Sequence, residues 1–406
     1  MVLCPHFKPD LHAATGEVMT ALVDKLADQG HEINLVTSLP WYRNHDVEPE
    51  WRGRPWRREV TPWGRVVRVW PFPTDKTNIT ARAAGFAGFT VLAVGAALSL
   101  GRPDVVMAMS PPVFLGDAAW LVSRLHRVPF VFNTQDIFPD VAVDLGALSN
   151  PTVIEMAERH ERSLYRRADA ITVLSEDQAN NVRSKLPGEL VDRVRLIPNF
   201  VDLDRITVGD RDNDYRGDHR LGSKTVVMYS GNVGLSQSFD LIRRAAEHFR
   251  DRPNLQFVIN GEGAARSEVD VWAAQLDNVT VADFAPRDRV GEVLAAADIH
   301  LILLKSGLAR SSTPSKLYGI LAAGRPVLAS IDDKSEVATV LAKAGAGISV
   351  PPDDAESFID ALAAMLDDPA QGQAMGLRGR RFVETWLTAD QQAARYNELF
   401  EELVKR

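Results

Sequence analysis

The stretch Thr313-Pro314-Ser315-Lys316-Leu317-Tyr318-Gly319-Ile320-Leu321-Ala322-Ala323-Gly324-Arg325-Pro326-Val327-Leu328-Ala329-Ser330 reads as a short helix passing at once into a strand. Thr313 can cap the helix, and Pro314 suits its first position, where a missing N–H costs nothing. Leu317, Ile320 and Leu321 fall at i, i+3 and i+4 and make one apolar face. Gly324 supplies a left-handed stop, and Pro326 to Ala329 continue as a buried strand. Lys316 sits in the first turn, where the helix dipole disfavours a cation by roughly several tenths of a kcal/mol. The simplest reading is a solvated lysine. An anion held between Lys316, Ser315 and the free N–H groups of the turn would remove the conflict.

Outward from this helix–strand unit, the same alternation fills the chain. Strands are expected at residues 2–7, 32–38, 104–110, 129–134, 169–174 and 194–197, with helices at 17–29, 115–127 and 151–168 between them. Asn150-Pro151 is a cap followed by a first-turn proline. Residues 205–224 are polar and aperiodic, and the domain boundary and linker are expected there. Alternation then resumes, with strands expected at 225–231, 255–261, 279–284, 298–304 and 325–330. The predicted fold class is α/β, with doubly wound parallel sheets in two domains, 1–204 and 205–385. The tail from 373 is expected to be helical with a bend at Leu387-Thr388, its last part, 386–406, joining the first domain.

A chain of 406 residues exceeds one ordinary core, which also favours two domains. Its 45% hydrophobic and 25% charged content is that of a globular protein. A net charge of −8 argues against bulk attraction to nucleic acid. The single cysteine, Cys4, excludes an internal disulfide framework and a cysteine-based zinc site, and fits a reducing compartment. No secretory leader is read in Met1-Val2-Leu3-Cys4-Pro5. Residues 83–101 are nineteen uncharged positions, just enough to span a bilayer. Four glycines, six alanines, a serine and a threonine keep that segment only modestly apolar, so it reads as a buried or in-plane helix.

Ligands of doubly wound domains gather at the carboxyl ends of the strands. In the second domain those ends carry Tyr229-Ser230-Gly231-Asn232-Val233-Gly234, Asn260-Gly261-Glu262-Gly263, Phe284 and the opening stretch with Ser315, Lys316 and Leu317. Glycines there let backbone approach a phosphate, although each loop alone is also a plain tight turn. Three such loops and a misplaced lysine favour a nucleotide-diphosphate site. The dinucleotide fingerprint of a dehydrogenase is absent. The first domain offers Gly16 and Glu17 at a helix start, Ser110 after one strand, Asp136 after the next, and Asn199. Asp136 can orient a substrate hydroxyl, or merely cap a loop. His12, His45 and His160 show no metal spacing, and no Asp-x-Asp pair follows an apolar strand, so neither metal nor separate cofactor is expected.

Residues 41–70 hold five of the eight tryptophans, at 41, 51, 56, 63 and 70, with arginines at 43, 52, 54, 57, 58, 65 and 68. Rings and cations of this kind suit a lipid headgroup layer. With 83–101 they suggest a membrane-facing surface over 41–101, and a hairpin around Trp63-Gly64 with partly buried rings is the equal alternative.

These residues resemble the family-4 retaining glycosyltransferases, of GT-B architecture, over nearly the whole chain. The resemblance rests on Leu26-Ala27-Asp28-Gln29-Gly30-His31-Glu32-Ile33, Ala168-Asp169-Ala170-Ile171-Thr172-Val173-Leu174-Ser175, Ile197-Pro198-Asn199-Phe200-Val201-Asp202 and Gly324-Arg325-Pro326-Val327. Asp136-Ile137-Phe138-Pro139, the 229–234 loop and 314–321 look most like the fucosaminyl- and colanic-acid-type subgroup. The resemblance implies two Rossmann-like domains facing across a cleft, the second holding a nucleotide-diphosphate sugar and the first an acceptor. It implies a lipid-linked saccharide, polyprenyl-diphosphate-linked, as acceptor, at the inner face of the cell membrane, in surface polysaccharide or O-antigen synthesis. The chain departs from the family where relatives carry a pair of glutamates, at Ser311 and Gly319. It departs again at Asn232 and Gln237, where relatives often carry arginine and lysine, and at Gln135-Asp136, where they commonly carry a histidine. Lys316 and Ser315 are the expected substitutes on the leaving diphosphate, together with backbone around Gly231 to Gly234. A nucleotide-sugar epimerase and a non-catalytic membrane-bound partner of a transferase are the alternatives.

Overall fold

The computed structural model describes all residues except 12, 44, 74–78, 145, 147, 307–315 and 406, and leaves undescribed the side chains of 14, 79, 80, 82, 83, 144 and 287. The chain divides into two compact units, Met1–Asn199 with Ala389–Arg406, and Phe200–Thr388.

The first unit contains, in order, β1 (Val2–Leu3), α1 (Ala14–Asp28), β2 (Ile33–Ser38), β3 (Trp56–Thr61), β4 (Gly64–Val69), α2 (Ile79–Leu98), β5 (Val106–Ser110), α3 (Leu115–His126), β6 (Phe130–Thr134), α4 (Asp140–Asp144), α5 (Pro151–Arg167), β7 (Ala170–Val173), α6 (Glu176–Ser184) and β8 (Val194–Leu196). Among the described residues these strands form an eight-stranded sheet in the order β3-β4-β2-β1-β5-β6-β7-β8. Every neighbouring pair is parallel except the β3–β4 hairpin. Winding reverses between β1 and β5, and a crevice opens there at the carboxyl ends. β5, β6 and β7 are buried along their whole length, as strands covered on both faces must be. Asn150 caps α5, its side chain accepting from the N–H groups of Thr152 and Val153.

β1 is shorter than the 2–7 expected. Pro5 has no N–H for the ladder, which ends after Cys4 donates to the Val36 carbonyl at 3.0 Å. Residues 56–69 make the hairpin. Trp41 is buried with Leu39 and Val47, and Trp51 and Trp70 pack on them. Arg57 and Arg68 lie over the Trp51 ring at 4.9 and 5.1 Å, and Arg68 also binds Glu59 at 2.6 Å. Much of this aromatic and basic surface is therefore engaged internally. α2 takes in most of the uncharged stretch and sends Phe89, Ala93, Ala96 and Ala97 into the core. No helix among the described residues is long and apolar enough to cross a membrane.

The second unit contains α7 (Asp214–Asp218), β9 (Thr225–Ser230), α8 (Phe239–His248), β10 (Leu255–Asn260), α9 (Arg266–Ala273), β11 (Val279–Ala282), α10 (Val290–Ala296), β12 (Ile299–Leu303), α11 (Lys316–Ala322), β13 (Val327–Ser330), α12 (Glu336–Ala344), β14 (Gly347–Val350), α13 (Ala355–Asp367) and α14 (Pro369–Trp386). Among the described residues its sheet has six strands, all parallel, in the order β11-β10-β9-β12-β13-β14. Its reversal lies between β9 and β12.

The linker expected at 205–224 is not a linker: the chain divides at Asn199, and these residues pack into the second unit. Arg216 is only 3% exposed and binds Asp298 at 2.8 Å, while the Tyr215 hydroxyl donates to Asn260 at 2.9 Å. Polar composition was a poor guide because these polar groups satisfy one another under cover. At the other end, α14 stops before Leu387, and α15 (Ala389–Lys405) packs on α1 within the first unit. Lys25 there meets Asp390 at 3.0 Å and His31 meets Asn397 at 2.8 Å.

Candidate functional site

In the second unit the loops after β9 and β10 interlock. Gly231 N–H donates to Asn260 O at 2.9 Å, Val233 N–H to Glu262 O at 2.7 Å, and Ala265 N–H to Val233 O at 2.9 Å. A Cβ on Gly261 would sit 1.9 Å from the Gly231 carbonyl, and one on Gly263 2.3 Å from the Val233 carbonyl. Loop-to-loop packing thus demands these glycines whether or not a phosphate comes near. In the loop from Gly231 to Gly234, expected to hold the diphosphate, three of the four backbone N–H groups already have partners within the protein. The N–H groups of Gly231 and Val233 are used as above, and Gly234 N–H donates to Gln237 Oε1 at 2.9 Å. Among the described residues the Asn232 N–H makes no backbone hydrogen bond. Gln237 braces the loop from within.

Lys316 begins α11. Its Nζ lies 3.8 Å from the centroid of the Tyr229 ring and 3.0 Å from where a Cβ on Gly231 would stand. No carboxylate among the described residues pairs with it. Burial pulls its pKa down to about 7, and the ring face returns some of the lost solvation. Ser315, with Thr313, Pro314 and Ser311, lies outside the described residues. Leu317 is 1% exposed and belongs to the core with Ile302, Ile320 and Leu321, so only its backbone could face a ligand. Phe284 is half exposed beyond β11. Two cations escaped the sequence reading. Arg266 bonds the Gly261 carbonyl at 2.6 Å but is neutralised by Asp270 and Asp283. Lys305 follows β12, and its N–H donates to Ser236 O at 2.9 Å, which sets it beside the same loop; a lysine directly after an apolar strand was the signal.

In the first unit the structure gathers Ser110, Asp136 and Asn199 around Gln135. Gln135 is buried; its N–H donates to Ser110 O at 2.9 Å, and its Oε1 accepts from Asn199 Nδ2 at 2.7 Å. Its Nε2 donates to Asn133 Oδ1 at 2.9 Å, and Asn133 Nδ2 in turn reaches Thr172 at 2.9 Å and the Tyr396 hydroxyl at 2.7 Å. Asn199 is therefore a structural member of an amide network. Asp136 stands beyond it on the surface, and the protein around it pushes its carboxyl above the ordinary range, an effect that its solvent contact limits.

Gly16 and Glu17 are in the first turn of α1. A Cβ on Gly16 would come within 2.5 Å of Asp10 O and 3.2 Å of His6 Cβ. His6 and Asp10 are a buried pair that the sequence reading missed. His6 Nδ1 is 3.3 Å from Asp10 Oδ2, and the same oxygen accepts from the N–H groups of Trp41 and Tyr42 at 3.3 and 3.2 Å. The available signal was a histidine just past the carboxyl end of the first strand.

Residues 14–199 match the family described as Glycosyl transferase 4-like domain, and residues 211–382 match Glycosyl transferases group 1. The chain is 26% identical over 375 residues to a protein of Escherichia coli K12 named as the colanic acid biosynthesis glycosyl transferase WcaI, covering 89% of this chain and 90% of that one. Among solved structures, sucrose-phosphate synthase of Thermosynechococcus elongatus superposes with a TM-score of 0.71 at 16% identity, over 100% of this chain and 99% of the other. HepE of Anabaena, solved in complex with UDP, superposes with a TM-score of 0.69 at 13% identity, over 99% of each chain. Likeness at these identities establishes a common fold.

Proposed function

We propose, from the premise that this chain is a glycosyltransferase of GT-B fold belonging to the families of both its domains, that it moves a sugar from a nucleotide-diphosphate donor to a lipid-linked saccharide in bacterial polysaccharide synthesis, with retention at the anomeric carbon. The observation that carries the reading is the Lys316 ammonium on the Tyr229 face beside Gly231, without a carboxylate partner among the described residues. The similarity to WcaI, named for colanic acid biosynthesis, and to HepE, solved with UDP, supports the donor and pathway class.

In this reaction the acceptor oxygen attacks the anomeric carbon while the bond to the diphosphate breaks and its electron pair leaves with the diphosphate. Lys316 stabilises the charge that develops there, and the acceptor proton passes to the leaving phosphate. Ser315, Lys305 and the Asn232 N–H complete the donor side in this reading. Asp136 orients the acceptor hydroxyl. Peripheral contact with the inner face of the membrane, through 41–101, brings the lipid-linked acceptor. Exposed Val60, Phe72 and Val91 support that contact, as does the open cavity of about 780 Å³ lined by Trp51, Arg52, Arg54, Trp56, Arg57 and Arg58. The test is a thermal-shift screen of nucleotide sugars, followed by transfer from the best binder to short-chain lipid-diphosphate monosaccharides. Stabilisation by one nucleotide sugar and transfer of its sugar are expected. No stabilisation by any of them would remove the reading.

A further inference from the structure

We propose that His6 and Asp10 form the hydroxyl-recognition element of the acceptor subsite, an inference that rests on the reading of the first unit as the acceptor side. The pair lies past the carboxyl end of β1, and β1 borders β5 where the winding reverses, so it stands at the crevice where doubly wound sheets bind ligands. Ser110, at the end of β5, flanks the same crevice.

Asp10 is 2% exposed and His6 7%. One carboxylate oxygen of Asp10 receives His6 Nδ1 and the N–H groups of Trp41 and Tyr42. Burial alone would raise the Asp10 pKa, but those donors outweigh it and hold the carboxyl below its ordinary value, so Asp10 is an anion. Its other oxygen, Oδ1, is buried and has no hydrogen-bond partner among the described residues. An unpaired buried carboxylate oxygen is costly, and native proteins leave few of them.

His6 is held by its surroundings as well. Its ring stacks on Trp41 at 5.9 Å and meets the edge of Tyr42 at 4.9 Å. With Nδ1–H donating to Asp10, the neutral ring carries its lone pair on Nε2, which has no hydrogen-bond partner among the described residues. The pair thus offers two hydrogen-bond acceptors and a negative charge. That chemistry selects a neutral ligand rich in hydroxyl donors, a saccharide ring, and repels the diphosphate that links it to lipid. His6 and Asp10 bind and orient a sugar hydroxyl; the proton leaving the reacting oxygen still goes to the diphosphate.

The test uses the full chain and whichever short-chain lipid-diphosphate monosaccharide the wild type glycosylates fastest. His6→Phe keeps the ring packing but removes both nitrogens, His6→Gln restores an acceptor, and Asp10→Asn removes the anion. His6→Phe and Asp10→Asn are expected to lower acceptor kcat/KM about tenfold or more, mainly through KM. The thermal shift with nucleotide sugar should stay at its wild-type value, and His6→Gln should recover much of the loss. Unchanged acceptor KM in both variants would overturn the inference alone. Absence of transfer by the wild type would overturn the parent reading as well. If the variants lose their native melting transition, nitrogen-15 spectra of histidine in the wild type decide: the His6 Nε2 resonance must move on saturation with the acceptor, and an unmoved resonance overturns the inference.

Discussion

The Lys316 ammonium stands 3.8 Å from the centroid of the Tyr229 ring, beside Gly231 at the end of β9. A cation placed there has given up much of its water for a π face. It gains fully only when an anion arrives, which makes it the strongest single candidate for the donor clamp.

Lys316→Met should lower kcat for sugar transfer by about 100-fold, the usual cost of losing one preorganised donor to a leaving group. The melting temperature should not fall, since the methionine keeps the apolar stem and removes a poorly solvated charge. Steady-state transfer assays with parallel calorimetry check both. Wild-type turnover in a folded Lys316→Met protein would sink the assignment.

Because burial sets the free Lys316 pKa at about 7, diphosphate binding must be coupled to proton uptake. An anion raises the pKa of the ammonium, so affinity is full below pH 7 and declines as pH rises above it. The slope approaches about tenfold per pH unit until the pKa of the complex is reached. Titration calorimetry with the nucleoside diphosphate across this range tests the dependence, and Lys316→Met should flatten it.

Lys185 clamps three helices together, its ammonium 2.8 Å from Asp140 and 3.0 Å from Glu161, which is 1% exposed and also accepts from the Tyr165 hydroxyl. Lys185→Met leaves Asp140 and Glu161 without their cation and should cost roughly 3–5 kcal/mol in urea unfolding above pH 7, where Glu161 is ionised. Burial raises the Glu161 pKa to about 7 despite Lys185 and Tyr165, well above the 4.5 of an ordinary glutamate. The folded chain therefore retains a proton that the unfolded chain releases. Stability from this group is complete below 4.5 and is lost as pH rises through 7. Glu161→Gln should accordingly gain on the wild type between about pH 5 and about pH 8.

Membrane contact through 41–101 is testable by flotation with vesicles of phosphatidylglycerol and phosphatidylethanolamine. Arg54 and Arg58 are exposed. Reversing both to glutamate should abolish co-flotation at low salt, and raised salt should release the wild type. Equal flotation of the double variant would exclude this surface.

Alternation of apolar strands and amphipathic helices was readable in single segments. Each segment's period depends on its own residues, and parallel order follows from helices between strands. Two sheets and the capped start at Asn150 were legible for that reason. Residues 205–224 were misread because a polar run looks the same whether water or its own partners satisfy it; Arg216 with Asp298 decides this, and those residues are far apart in sequence. The tryptophan and arginine region divided for a similar reason. Its composition allowed either a membrane face or a hairpin, and the pairing of β3 with β4 requires knowing which residues stand opposite.

Of the candidate site, the sequence could mark loops at strand ends and one lysine whose charge opposed its helix. Those are local facts of spacing and helix polarity. It could not say that Gly261 is demanded by the Gly231 carbonyl, that Asn199 is spent on Gln135, or that Leu317 faces the core. Nor could it join His6 to Asp10 and the backbone of Trp41 and Tyr42. Helix, strand and glycine turn are written in neighbouring residues. Which polar groups remain unpaired, and so free to hold a substrate, is settled only when distant segments pack and use up one another's donors and acceptors.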